Sequence, residues 1–288
     1  ITEMREGGKP LNVDDLWENL IKSKKQLLIA TVITKDVAKS WAFVFRNKII
    51  RYLVPKQVNI LNLEFDKLNC LEESKQSITK NSRQTIHGIM INNLVNLIND
   101  DSYCLLIDID AFPLSKKAIK IAFATALLKG VNGNIQRTNC LENNQHIFIA
   151  ESFMCFYTKK VKHLGKKAWE ANNRSDVSEE ITWEWPELID EFTFRPITTI
   201  MKPIWPLQGS EPKYGIGTTF GMDKIKISYH HFFARNLISR FHFFIITFFY
   251  YLKIRFGDKN KEQKRKKIFN FLLTEIKFAF KYLTGKIS

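Results

Sequence analysis

The stretch Tyr103-Cys104-Leu105-Leu106-Ile107-Asp108-Ile109-Asp110-Ala111-Phe112-Pro113-Leu114 constrains the fold more than any other part of the chain. An apolar run of strand character, predicted over 103–109, ends in two acids spaced i, i+2, and Pro113 then breaks the backbone. Burying Cys104 to Ile107 suits a central strand covered on both faces. Carboxylates at its carboxyl end do nothing for a core, because an unpaired buried charge is costly. In open α/β sheets, that edge is where ligands bind. Two hard oxygen ligands there suit Mg²⁺ or Mn²⁺ held together with the phosphates of a nucleotide. The competing reading is a turn in which Asp110 caps a helix beginning near Ser115.

At 288 residues and 45% apolar content the chain is long enough for one large α/β domain, or one domain with an appendage, and too apolar for disorder. Cys70, Cys104, Cys140 and Cys155 form no C-x-x-C pair, so no zinc knuckle or redox motif is visible. Cys104 and Cys155 sit in apolar runs and read as small buried hydrophobes. The opening residues Ile1 to Pro10 carry no apolar signal core, which makes the cytoplasm the expected location. The net charge of +15 is concentrated near the end, where residues 253–288 hold eleven Lys/Arg against three acids.

Patterning along the first hundred residues alternates. Gln26 to Ile33 reads as a buried strand, and a helix carrying Trp41, Phe43, Val44, Ile49 and Ile50 follows. Val58 to Leu63 reads as a second strand, Asp66 to Arg83 as a polar stretch, and Gln84 to Ile98 as a helix with Ile89, Ile91, Leu94, Val95 and Ile98 near one face. Strand–helix–strand–helix–strand is the doubly wound signature of a nucleotide-binding half. Beyond Asp110 we expect a helix from Lys116 to Leu128, a turn-rich segment Gly130 to Asn134, and short strands at His146–Ala150 and Phe153–Tyr157. A basic helix from Thr158 to Ala171 and a helix from Ser178 to Glu191, interrupted by Pro186, come next. Residues 193–233 read as irregular strands and loops.

These features together resemble the GT-A glycosyltransferases, over about Gln26 to Arg235. The anchor is Asp108-Ile109-Asp110 on a strand end. His87-Gly88 opens the helix upstream, much as a His/Gly pair often does in such enzymes. Gly130 to Asn134 is similar to the loop that follows the metal motif, and Glu151 to Tyr157 to the strand that faces the acceptor. The resemblance implies a mixed, mostly parallel Rossmann-like sheet with helices on both faces. Residues 1–235 would form the catalytic domain, with a nucleotide-binding half at about 24–114 and an acceptor half at about 115–235. It also implies that Asp110 ligates a divalent cation, Mn²⁺ or Mg²⁺, bridging the donor diphosphate. Asp108 would bind the ribose or the metal through water. A late histidine often completes such a site, and Tyr229-His230-His231-Phe232-Phe233 supplies the candidate, His230 preferred; both histidines also fit a partly buried core.

An inverting transfer needs a carboxylate within reach of the acceptor hydroxyl. The segment Asp176 to Trp183 supplies three, with Glu180 preferred and Asp176 and Glu179 behind it. Asp176 or Ser178 could equally be an N-cap, with Glu179 and Glu180 favourable to the helix dipole. Trp183 and Trp185 suit a sugar face or a core. The donor's nucleoside would sit near Thr31, Val32 and Ile33, with Asp66 or Lys67 beside the second strand. Gly215 to Thr219, with Gly217 at its centre and Lys213 and Lys224 nearby, suits closure over a diphosphate. No G-x-G-x-x-G and no P-loop is present, against a nicotinamide or NTPase reading.

Residues 236–288 read as a separate basic, aromatic-rich helical tail. Phe241 to Leu252 is the most hydrophobic window, and a bilayer span needs about 20 apolar residues. Two basic amphipathic helices of this composition suit an anionic membrane surface; alternatively they cap the domain. The expected partners are thus a nucleotide-diphosphate sugar, a cell-envelope, lipid-linked or other glycan acceptor, and anionic lipid. A nucleotidyltransferase is one rival, but Thr31 to Lys35 lacks the glycines its phosphate loop would need. A nucleic-acid binder is the other, favoured by the pI of about 9.6; concentration of charge beyond residue 252 argues against it.

Overall fold

The computed structural model describes residues 4–6, 9–35, 43–76, 82–83, 85–138, 146–172, 174–199, 203–207, 213–232 and 237–256. Its centre is a mixed five-stranded sheet in the order Asn59–Phe65, Gln26–Thr34, Ser102–Ile107, Ile147–Tyr157, Val131–Arg137. The first three strands are mutually parallel, and Ile147–Tyr157 runs antiparallel to both neighbours. Four of the five strands therefore point the same way. Every residue of Ser102–Ile107 is buried, as the apolar run Cys104 to Ile107 requires, and the Ser102 hydroxyl donates to Gln26 Oε1. Each such Leu or Ile side chain contributes about 1.5–3 kcal/mol on leaving water.

Local signals account for the helices around it. Asn12 caps the helix Val13–Lys22, Thr85 caps Ile86–Leu97 and Ser115 caps Lys116–Lys129, each through a side-chain oxygen accepting a backbone N–H. Ser115 at this cap excludes the reading in which Asp110 serves as one. Gly130, at φ +81°, ends the helix Lys116–Lys129 in the left-handed conformation that glycine tolerates.

Several expectations are corrected here. The segment predicted as turn-rich, Gly130 to Asn134, continues from its cap into the buried strand Val131–Arg137. Asn132 and Asn134 tolerate burial because their amides find partners. Asn132 donates to Thr125 Oγ1 and Phe192 O, and Asn134 donates to Ser152 Oγ while accepting from Ser228. Gly133 is required because a Cβ would stand 2.5 Å from Phe153 O. The two short strands predicted at 146–150 and 153–157 are one, since Ser152 is buried within the ladder. The polar stretch after Asp66 contains the helix Lys67–Gln76. The basic helix stops at Lys162, and the helix after Ser178 stops at Glu184 before a 3-10 turn, Pro186–Leu188. The irregular region supplies a second sheet, order Arg195–Thr199, Thr218–Met222, Ile225–His230, Ala111–Pro113.

The helix Leu237–Phe256 opens the predicted tail, and its inner side packs on the domain. Phe45 of the helix Val44–Leu53 meets Phe244, Phe248 and Tyr251 at ring separations of 5.5, 5.0 and 5.8 Å. Phe112 meets Phe243 and Tyr250, and Tyr250 Oη donates to Leu114 O. This part of the tail is a cap on the strand that follows Asp110. Residues 257–288, Trp41 and Cys140 lie outside the described residues.

Candidate functional site

Asp108 and Asp110 leave the central strand at its carboxyl edge, where two long-range pairings converge. Ile107 pairs with Phe153, and Asp108 N–H continues the ladder to Ser152 O at 3.1 Å. The neighbouring residue on that strand, Glu151, is thereby brought beside Asp108. In the second sheet, His230 pairs with Ala111, and His231 N–H donates to Asp110 O at 2.9 Å. That register carries His230 Nε2 to 3.3 Å from Asp110 Oδ1. From a third direction, the capped first turn of Ile86–Leu97 presents His87, whose Nε2 lies 3.2 Å from Asp108 Oδ1. Gly88 lets this turn lie close against Trp169: a Cβ there would meet Trp169 O at 2.1 Å.

One ligand atom each from Asp108, Asp110 and His230 falls within 4.8 Å of the other two. Two carboxylates and an imidazole form a mixed oxygen–nitrogen set suited to Mn²⁺. His230 is buried and its Nδ1 has no hydrogen-bond partner. Burial tends to raise the Asp108 carboxyl, but His87, His230 and Arg46 outweigh it and hold the group below the ordinary carboxylate range. Burial opposes protonation of His230, yet Asp110, Asp108 and Glu151 raise it above the ordinary histidine value. A cation would displace that proton and take over its role. Burial, joined by the charges of Asp108 and Asp176, pushes Glu151 up to about 7, against the pull of His87.

Behind the acids lies Arg46, 1% exposed. Its Nε donates to Ala111 O at 3.0 Å, and its Nη2 donates to Thr31 Oγ1, Ile107 O and Asp108 O at 2.9, 2.9 and 2.7 Å. Burial lowers it to about 10, so it stays charged at neutral pH. One guanidinium thus ties the first strand to the turn that carries both acids. Sequence reasoning passed over Arg46; its signal was a charged residue on the stripe of Ile49, Ile50 and Leu53, at i, i+3, i+4 and i+7. It also passed over Glu151 as a site residue, because an acid inside an apolar run looked like a gap between two strands. Ser178 is the third omission. At φ +67° it is a non-glycine in the left-handed region, and its Oγ donates to Glu151 Oε2 and Ile149 O, both at 3.0 Å.

The other candidates separate by their surroundings. Glu180, the preferred base, is held by Asn172 Nδ2 at 2.8 Å, Ser175 Oγ at 2.6 Å and both ends of the Arg174 fork at 3.2 and 3.0 Å. Burial alone would raise it, but these donors hold it down at about 2, which makes it a weak proton acceptor. Glu179 is buried and accepts from Thr138 Oγ1, the Asp176 backbone N–H and His146 Nδ1, each at 2.6 Å. The His146 ring stacks on Trp183 at 3.8 Å. Both acids brace the local fold. Asp176 differs, since its charge reaches Glu151.

Thr31 donates to Ile107 O and receives Arg46, while Val32 is 3% exposed, so both are engaged in the strand. Asp66 caps Lys67–Gln76 by accepting from Leu68 N–H at 2.9 Å. Gly217, at φ +74°, makes a tight turn between the strands Lys213–Gly215 and Thr218–Met222; the Lys213 side chain lies outside the described residues. The glycine-rich segment Gly215 to Thr219 is thus the junction of two strands. His231 is buried, pairs through Nδ1 with Tyr229 Oη at 2.8 Å, and is lowered by burial to about 4. Of the histidine pair, His230 joins the acids and His231 belongs to the core.

Comparison of the chain with protein-family models, curated proteins and solved structures returns no match.

Proposed function

We propose that this chain is a metal-dependent glycosyltransferase of the GT-A type, taking a sugar from a nucleoside-diphosphate donor. The observation that carries this reading is the convergence of Asp108, Asp110 and His230 at the carboxyl edge of a mixed sheet. A divalent cation bound there supplies stabilisation of the charge that develops on the departing diphosphate. Asp108 and Asp110 hold it, with His230 as the nitrogen ligand. The acceptor hydroxyl attacks the anomeric carbon, the bond from that carbon to the diphosphate oxygen breaks, and Asp176 takes the hydroxyl proton. We prefer Asp176 because its charge reaches Glu151 beside Asp108, whereas Arg174, Ser175 and Asn172 hold Glu180 as a weak proton acceptor and Glu179 is buried away among Thr138, His146 and the Asp176 backbone. The GT-A assignment rests on the sequence resemblance, inversion on the presence of a candidate base, and the envelope or lipid-linked glycan acceptor on the basic, aromatic-rich tail.

The first strand supports this over a nucleotidyltransferase, because Gln26–Thr34 runs on to Thr34 with no glycine-rich phosphate loop. A screen for slow donor hydrolysis across nucleotide sugars with Mn²⁺ tests the proposal. We expect one nucleotide-sugar class to be hydrolysed with Mn²⁺ and spared in EDTA. No hydrolysis of any donor, together with salt-sensitive binding of DNA or RNA, would favour the nucleic-acid reading instead.

The outer side of Leu237–Phe256 supports a seat on anionic membrane. Ile238, Phe241 and Phe249 are 69%, 51% and 63% exposed, and at 100° per residue they fall within about 80° of one another. Lys253 and Arg255 follow on the same helix, ahead of the basic 257–288 segment. No helix among the described residues is long and apolar enough to cross a membrane. A peripheral contact uses buried aromatics and clustered cations together. The full chain should sediment with vesicles containing anionic lipid at low salt, and Phe241→Ser with Phe249→Ser should reduce the bound fraction at least several-fold. Equal sedimentation of both proteins, or none of either, would sink this part.

A further inference from the structure

We infer that the carboxyl edge holds two divalent-cation positions sharing Asp108, the second formed by His87, Asp108 and Glu151. This rests on the reading of Asp108, Asp110 and His230 as the first position. His87 Nε2 lies 3.2 Å from Asp108 Oδ1 and 3.9 Å from Glu151 Oε1. One ligand atom from each residue lies within 4.8 Å of the other two. Around a cation with bonds of about 2.0–2.2 Å, ligands at right angles stand ~3 Å apart and opposite ones ~4.3 Å apart. The observed separations fall inside that span.

The two donor sets come from different parts of the fold. Asp110 and His230 are joined by the second sheet, whereas His87 comes from a helix N-terminus and Glu151 from the long antiparallel strand. Asp108 alone belongs to both, and its two oxygens can serve two ions about 3.5–4 Å apart. Among the described residues, no Lys or Arg lies within ion-pair distance of Glu151; its partner is His87. Glu151, Asp108 and His87 are only 17%, 17% and 27% exposed at their side chains. Two carboxylates crowded together with limited solvent call for a cation.

The Glu151 carboxylate is also fixed in direction. Ser178 Oγ holds Oε2 at 3.0 Å, while Oε1 faces His87. A ligand braced from behind in this way is the arrangement that tunes metal sites. One nitrogen and two carboxylates select Mn²⁺ or Zn²⁺ over Ca²⁺, and three protein ligands leave positions for substrate oxygen or water.

Titration of the full chain with Mn²⁺ alone, following loss of the free-ion paramagnetic signal, tests the inference without any activity assay. Two ions per chain are expected. Glu151→Gln, His87→Gln and Asp110→Ala should each bind one, and Asp108→Asn should bind fewer than one; melting curves confirm that each variant is folded. A wild-type stoichiometry of one, lost in Asp110→Ala and unchanged by Glu151→Gln and His87→Gln, overturns the second position and leaves the first standing. Two ions in wild type and in both second-set variants also overturns it. No Mn²⁺ bound by wild type at saturating concentration defeats both readings.

Discussion

Asp110→Ala should abolish the stabilisation that a nucleoside diphosphate confers in the presence of Mn²⁺ and slow donor hydrolysis by about 10²–10³-fold, the usual cost of losing a principal group that stabilises developing charge. The fold should survive the change. The Asp110 side chain meets His230 at 3.3 Å, but the tie to the second sheet runs through its backbone oxygen to His231 N–H, which alanine retains. Removing one carboxylate also relieves crowding with Asp108 when no cation is bound. The melting temperature of the metal-free variant should therefore lie within a few degrees of wild type, or above it. Thermal melts with Mn²⁺ alone, nucleotide alone and both together separate binding from stability. Full nucleotide-dependent stabilisation in Asp110→Ala, at the same Mn²⁺ concentration, would remove the central support for the transferase reading.

Arg46→Met should produce the opposite pattern, a large loss of stability: about 3–5 kcal/mol, the range for removing one partner from a buried charged network. Met fills much of the volume but donates nothing, so the carbonyls of Ile107, Asp108 and Ala111 lose a buried donor together with Thr31 Oγ1. For a domain of this size that corresponds to a drop of roughly 10 °C in melting temperature. Arg46→Lys keeps the charge with a single nitrogen and should recover only part of the loss, because one ammonium cannot span acceptors on the first strand and on the acid-bearing turn. Chemical denaturation of the three proteins measures this directly. An Arg46→Met protein within 1 kcal/mol of wild type, a threshold below the usual cost of a lost buried donor, would show that the guanidinium is dispensable.

The two substitutions mark what was legible in the chain and what was not. Asp110 stood out because its neighbours explain it badly: an acid at the end of a fully apolar strand has no local purpose. Arg46 was invisible for the complementary reason. A lone arginine in Phe45-Arg46-Asn47-Lys48 looks like any solvated helix residue until the acceptors it serves come from two distant places in the sequence, Thr31 and the stretch 107–111. Glu180 is a second case of the same kind. It was attractive as a free carboxylate, and only the folded positions of Asn172, Arg174 and Ser175 show that its oxygens are already engaged. The strand at Val131–Arg137 was missed because Gly and Asn disfavour strands on average, whereas here the Asn132 and Asn134 amide nitrogens find buried acceptors and Gly133 allows the close approach of Phe153 O.

By itself the sequence determined most of the alternating strands and helices between Gln26 and Ile98, the helix that begins near Ser115 and the acids at the carboxyl end of the central strand. These follow from the period of apolar residues and from hydrogen bonds made within three or four positions. Only the tertiary structure decided which distant residues face those acids. His230 reaches Asp110 because Ile225–His230 pairs antiparallel with Ala111–Pro113, and Glu151 reaches Asp108 because Ile107 pairs with Phe153. Register between strands far apart in the chain is set by packing of the whole core, and a slip of one residue would turn every one of these side chains to the other face.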